Sequence, residues 1–222
     1  MAIGVVLAAV LTQAQAGNLL VPRSGAFTQA DGQVELATLG WVDPGDEATG
    51  LWASQVRGDV GIFNRLGVGG AVAVGLSDPG SYLAEGHVVL NVLDLDVFRL
   101  TPWGGAFHAA GPFEPTTGGA LGVAMEGGSE VVRADLSLSL AVWGSSASGT
   151  IVLGLASLAL SEVGLSWYID DHHTLRLGAL AGIGHLDYRY RFDKGLVLGA
   201  DIGLFRTDGV GVGGRLIAGS RF

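Results

Sequence analysis

Between Glu130 and Trp143 the chain alternates with a period of two. Val132, Ala134, Leu136, Leu138, Leu140 and Val142 take the even positions, and Arg133, Asp135, Ser137 and Ser139 stand between them. That period sends the two sets to opposite faces of a β-strand. An amphipathic helix would need apolar residues three and four apart. The rule recurs along the chain. Val56, Val60 and Ile62 oppose Arg57 and Asp59, and Leu66, Val68, Val72, Val74 and Leu76 oppose Gly67, Gly69, Ala71, Ala73 and Gly75. Leu196, Leu198, Ile202 and Leu204 oppose Gly199, Asp201 and Gly203. Val210, Val212, Leu216, Ala218 and Phe222 oppose Arg215 and Arg221.

Twelve segments follow, at 32–41, 54–63, 66–76, 87–100, 103–110, 117–126, 130–143, 149–160, 163–170, 174–192, 196–206 and 210–222. Short connections fall on the side of both barrel termini: Asn64-Arg65, Thr101-Pro102, Gly127 to Ser129, Ser161-Glu162 and Asp193 to Gly195. Longer links, 42–53, 77–86 and 111–116, fall on the other side. All six prolines sit in the N-terminal lead or in these connections, as strands without edges require. Trp41, Trp52 and Trp143 cluster near one set of strand ends, and Trp103, Tyr188, Tyr190, Phe192 and Phe222 near the other. The segment 174–192 changes phase near Gly182 to His185. A β-bulge there would absorb the slip, and a turn would change the count to ten or fourteen.

Composition decides what solvent such strands face. Hydrophobic residues make up 49% and charged residues 15%; the mean hydropathy is +0.46. No apolar run reaches the roughly 18 residues of a membrane helix, so hydrophobicity is spread thinly over strands. The expected fold is all-β: a closed antiparallel transmembrane β-barrel of about 12 strands. The net charge of -9 disfavours nucleic acid as a partner. There are no cysteines, which excludes a disulfide scaffold. Residues 1–16 read as a signal peptide, an apolar run from Ile3 to Leu11 followed by Ala14-Gln15-Ala16, with the barrel domain at 17–222.

The ending Leu216-Ile217-Ala218-Gly219-Ser220-Arg221-Phe222 resembles the C-terminal strand of Gram-negative outer-membrane β-barrel proteins. The resemblance implies an outer-membrane location, with Phe222 the signal read by the barrel-assembly machinery and outer-membrane lipid the surrounding partner. Asp59 to Gly69, a strand, an Asn-Arg turn and a second strand, is similar to hairpins of transporter-type proteobacterial barrels.

Strand parity turns an unusual set of charges inward: Glu35, Arg57, Asp59, Asp94, Asp96, Arg133, Asp135, Arg176, Asp187, Arg189, Arg191, Asp201 and Arg215. On the lipid face each midplane arginine would cost roughly 2–4 kcal/mol. Lumen-lining charges suit a passive channel for small polar or charged solutes. Salt-bridged, they equally suit a plugged lumen in a structural or surface-interaction barrel. Glycine and alanine on the inward side of 66–76 and 117–126 favour open space. Asp170, Asp171, His172 and His173 form the sharpest local cluster, placed by this topology at an extracellular strand end. They could hold a divalent cation or serve an outer-membrane hydrolase, but adjacent strand residues point apart, so a solvated turn is expected. His108 and His185 stand isolated. Neither a P-loop nor a nucleophilic triad is present, and no cofactor or enzymatic activity is expected.

Overall fold

The computed structural model describes residues 32–43, 49–63, 65–76, 80–111, 115–145, 151–153, 162–180, 183–206 and 210–221. The expected signal peptide and Phe222 lie outside them. The described strands are β1 (Gly32–Asp43), β2 (Thr49–Phe63), β3 (Leu66–Gly75), β4 (Tyr82–Leu90), β5 (Leu93–Leu95), β6 (Phe98–Ala110) and β7 (Thr116–Gly128). They continue with β8 (Val132–Ser145), β9 (Ile151–Leu153), β10 (Glu162–Tyr168), β11 (His173–Leu180), β12 (Ile183–Arg191), β13 (Leu196–Arg206) and β14 (Val210–Arg221).

Neighbours in sequence pair antiparallel, and β14 returns to pair with β1 from Gln33↔Arg221 to Val42↔Val212. The sheet closes on itself, so its backbone donors and acceptors are met by neighbouring strands. The pieces β4 and β5 share one place in the wall, as do β9 and β10, which leaves a twelve-stranded barrel.

That total agrees with the sequence pattern, but two boundaries behind it differ. Both β9 and β10 pair with β8, at Val142↔Leu153 and at Glu162↔Ser137. Ser161-Glu162 is therefore no periplasmic turn, since Glu162 lies within the wall. In compensation, 174–192 splits into a hairpin, with Leu180↔Ile183 the last pair before the turn. The phase change there marks the passage from β11 to β12 and not a bulge within one strand. One merged pair and one split segment leave the count at twelve.

A third shift concerns Thr101-Pro102. The hairpin turn lies at Asp96-Val97, and Pro102 sits inside β6 opposite Val123. On the other side, Val89↔Trp103 and Leu93↔Leu100 bracket one extra residue, a bulge at Asn91-Val92. The Leu100 carbonyl accepts from the Val92 amide, 3.0 Å. Pro102 shares that parity, so its nitrogen faces the bulge, where the ladder asks for no donor.

The faces separate as the alternation requires. Leu136, Leu138, Leu140 and Val142 of β8 are exposed outward, as are Val212 and Leu216 of β14. Among the inward residues, Arg57, Asp59, Arg176, Asp187 and Arg215 are buried. An apolar belt outside and charges inside invert the arrangement of a water-soluble protein. Tyr188, Tyr190 and Phe192 gather at the terminal end of the barrel, with Tyr190 and Phe192 edge to face at 4.6 Å, as an interfacial girdle requires. Trp103 is no part of such a girdle. It is buried inside the wall, where a Cβ on Gly122 would come within 2.5 Å of its ring.

Candidate inner-wall charge network

Two rows of paired residues cross the wall through glycine. The first is Asp59↔Gly69↔His87, on β2, β3 and β4. Because Gly69 has no side chain, Asp59 and His87 meet above it, with His87 Nε2 2.8 Å from Asp59 Oδ1. His87 Nδ1 lies 3.0 Å from Glu85 Oε2. Arg57 Nε donates to Asp59 Oδ2 at 2.8 Å, and Gln33 Nε2 donates to the same oxygen at 3.2 Å.

The second row is Asp135↔Gly164↔Gly178↔His185, on β8, β10, β11 and β12. Arg176 passes above Gly164 to Asp135, Nη2 to Oδ2 2.6 Å, and its other nitrogen pairs with Glu162. His185 lies over Gly178, with Nε2 3.2 Å from Glu162 and Nδ1 3.4 Å from Asp201. The second contact is electrostatic and not an aligned hydrogen bond. The network continues from Asp201 to Arg215 at 3.4 Å, and from Arg215 to Asp187 at 3.8 Å. Asp187 then meets Arg189 at 3.2 Å, and Arg189 reaches Glu35 on β1, passing over β13 and β14. Glu35 stands opposite Arg57 in the β1–β2 register, which brings the two rows side by side. Asp187, 1% exposed, is the most enclosed member.

Of the charges assigned inward by parity, Glu35, Arg57, Asp59, Arg133, Asp135, Arg176, Asp187, Arg189, Asp201 and Arg215 take part in these inner contacts. Arg133 pairs with Glu126 at 2.8 Å, toward the terminal end. Asp94, Asp96 and Arg191 do not join them. All three are exposed at strand ends, and Asp94 pairs there with Arg99 at 2.8 Å. Asp94, in β5, and Asp96, in the turn that follows it, stand at the rim of the wall.

Sequence reading missed Glu85, Glu126, Glu162, His87 and His185. Glu85 fell in an expected loop and Glu162 in an expected turn, although each shares parity with its inward neighbours. Glu126 was readable, since it continues the phase of Gly122 and Ala124. His185 is not isolated. Its partners lie on β10 and β13, strands that local pattern alone does not place beside it.

The inward glycines are not open space. A Cβ on Gly69 would fall 2.1 Å from Asp59 Oδ1, on Gly164 2.4 Å from Arg176 Nη2, and on Gly118 2.4 Å from the Phe107 ring. Neighbouring side chains lie across each glycine. A small apolar cluster adjoins the first row on the same strands: Ala71, Ala73 and Leu83 pack with Phe107 and Ala109.

The Asp170 cluster sits elsewhere than expected. Because β9 and β10 occupy one wall position, the turn after Tyr168 lies at the end that carries the barrel termini, not at the extracellular end. Asp170 Oδ1 accepts from the His172 and His173 amides at 2.8 and 2.7 Å. The His172 amide bond and then that of His173 hold this exposed carboxyl below its ordinary pKa. The imidazoles bond outside the cluster, His172 Nδ1 to the Arg191 carbonyl at 2.8 Å and His173 Nδ1 to the Tyr188 hydroxyl at 2.6 Å, with His173 Nε2 4.0 Å from Asp170 Oδ2. Among the described residues, no group of three or more His, Cys, Asp or Glu is arranged to hold a metal ion.

No family model matches the chain, and no curated protein matches it by sequence. Its fold does match solved structures. A KdgM porin in complex with disordered oligogalacturonate superposes with a TM-score of 0.61 at 10% identity, over 86% of this chain and 99% of that one. The fold is that of a Gram-negative outer-membrane β-barrel. Outer membrane phospholipase A from Escherichia coli superposes with a TM-score of 0.54 at 9% identity, over 84% of this chain and 91% of that one. The translocator domain of autotransporter NalP from Neisseria meningitidis gives 0.50 at 15% identity, over 99% and 98%. These solved structures include a porin, a phospholipase and a translocator domain, so the shared fold agrees with an outer-membrane location and leaves the activity to the site.

Proposed function

We propose that the barrel is a narrow outer-membrane channel for small polar or charged solutes, with the ionic network as its wall. The observation that carries this reading is the placing of glycine between ion partners. At Gly69, Gly164 and Gly178 the imidazole or guanidinium lies over a position without a side chain, along the wall instead of toward the axis. Charges laid flat in this way line a passage. A neutral, solid interior would be built more simply from interdigitated apolar side chains, and a buried ion pair gives little net stability in exchange.

The enclosure of Asp187 and the span of Arg189 to Glu35 favour a second reading, a barrel filled by its own salt bridges that meets partners through its loops. Twelve strands lie between the filled eight-stranded barrels and the open sixteen-stranded porins. Single-channel conductance of the refolded chain in a planar lipid bilayer separates the two. Steady conductance that changes with Arg133→Ala, a position at the mouth of the network, supports the channel. A folded, silent barrel rejects it in favour of the filled interior. The resemblance of the last strand also supports handling by the barrel-assembly machinery, tested by deleting Phe222: outer-membrane yield falls if that residue is the signal and is unchanged if it is not.

A further inference from the structure

The inner network carries more negative than positive charge. Its carboxylates are Glu35, Asp59, Glu85, Glu126, Asp135, Glu162, Asp187 and Asp201, and its guanidiniums are Arg57, Arg133, Arg176, Arg189 and Arg215. Among the described residues, eight acids thus face five permanent cations, and the imidazoles of His87 and His185 hold the balance. We propose that the wall prefers cationic over anionic solutes, and that His87 sets the strength of that preference. This rests on the channel reading above.

His87 is fitted for the role by its position. It sits between two acids, with Nε2 2.8 Å from Asp59 and Nδ1 3.0 Å from Glu85. An ionised carboxylate only accepts hydrogen bonds, so satisfying both contacts requires an N–H on both ring nitrogens, which is the imidazolium form. Gly69 of β3 makes the contact possible, and the backbone of Gly105 of β6 lies on the other flank. Arg57 of β2, bound to Asp59, and Gln33 of β1 complete the surroundings. The guanidinium of Arg57 opposes protonation, while two adjoining carboxylates favour it. His185 is set differently. It faces Glu162 and Asp201 but also has Arg176 Nη1 at 3.5 Å from Nε2, so a permanent cation already occupies its neighbourhood.

With His87 protonated, the acidic surplus is partly cancelled. Its deprotonation removes one positive charge from the wall and raises the surplus. The preferred solute class is therefore small organic cations presenting an ammonium or guanidinium group, with preference rising as pH rises. Rings of acidic side chains select cations in channels on the same electrostatic ground.

The test is the reversal potential of the refolded full chain in a potassium chloride gradient, from acidic to alkaline pH. The expected result is a potassium-over-chloride preference that grows with pH by about sevenfold, since one unit charge at roughly 7 Å in a water-filled passage shifts each ion by about RT with opposite sign. His87→Gln should show the high preference at every pH and lose the step. Glu85→Gln removes an acid and serves if His87→Gln does not assemble; it should lower the preference by a similar factor. Chloride preference in the native barrel, or a pH step that survives in His87→Gln, would overturn the inference while leaving a channel in place. A folded barrel with no conductance would overturn the channel reading itself, and this inference with it.

Discussion

Asp59 and His87 belong to strands that are not neighbours, yet their side chains meet at 2.8 Å because Gly69 of the intervening strand offers nothing between them. Gly69→Ala would place a methyl carbon 2.1 Å from Asp59 Oδ1 and 2.6 Å from His87 Nε2. Both buried groups would have to move off each other. The expected loss is about 1–3 kcal/mol, from overpacking and a disturbed buried contact. Gly184→Ala supplies the comparison, since nothing lies within 4 Å of a Cβ there. Urea unfolding of both variants from lipid vesicles should find Gly69→Ala the weaker barrel and Gly184→Ala close to native.

Arg176 neutralises two acids on different strands, Asp135 and Glu162. Replacing it with Met leaves both carboxylates enclosed without their cation, a change that costs about 3–5 kcal/mol when a buried pair loses one partner. Asp135→Asn added to Arg176→Met should restore part of that loss. A double-mutant cycle in the same unfolding assay should return a coupling of about 1–3 kcal/mol. Additive effects would mean that the contact carries no energy of its own.

Leu216 stands on the outer face of β14 with 70% of its surface exposed. In water such a leucine would be unremarkable; in a bilayer it is in its preferred solvent. Leu216→Arg should destabilise the barrel by about 2–4 kcal/mol, the cost of a cation near the midplane. The neighbouring inward residue on that strand is itself an arginine, Arg215, so the cost depends on the face and not on the residue type. An unchanged unfolding midpoint in vesicles would contradict the assignment of that face to lipid.

Asp170 ties the turn before β11 by accepting two amide hydrogen bonds. Its pKa in the folded chain is held below the ordinary value. The stabilisation it gives the turn is therefore present above the ordinary carboxylate range and is lost as pH falls through the lowered pKa. Amide hydrogen exchange in micelles should show His172 and His173 protected at neutral pH and losing protection in strong acid. Asp170→Ala should remove that protection at every pH without changing the rest of the barrel.

The alternation along β8 and β14 was readable from the chain because a strand's two faces are set by a period of two, whatever the strand later pairs with. Hydrophobic excess without a spanning helix then named the solvent outside, and the inward placing of Arg57, Asp59, Arg176, Asp187 and Arg215 followed from parity alone. What parity could not supply was the partner of each charge. Glu162 and His185 stand 23 residues apart and meet only because β11 packs β10 beside β12. Asp135 and Arg176 are 41 residues apart and meet over a glycine on a third strand. Turn positions were the other weak point, since Ser161-Glu162 carries polar residues suited to a turn while Glu162 in fact serves the wall. Within the regular strands the sequence by itself determined which side chains share a face, because that is a local property of extended backbone. Only the tertiary structure decided where each strand ends and which charges neutralise one another, because those depend on register between strands distant in the chain.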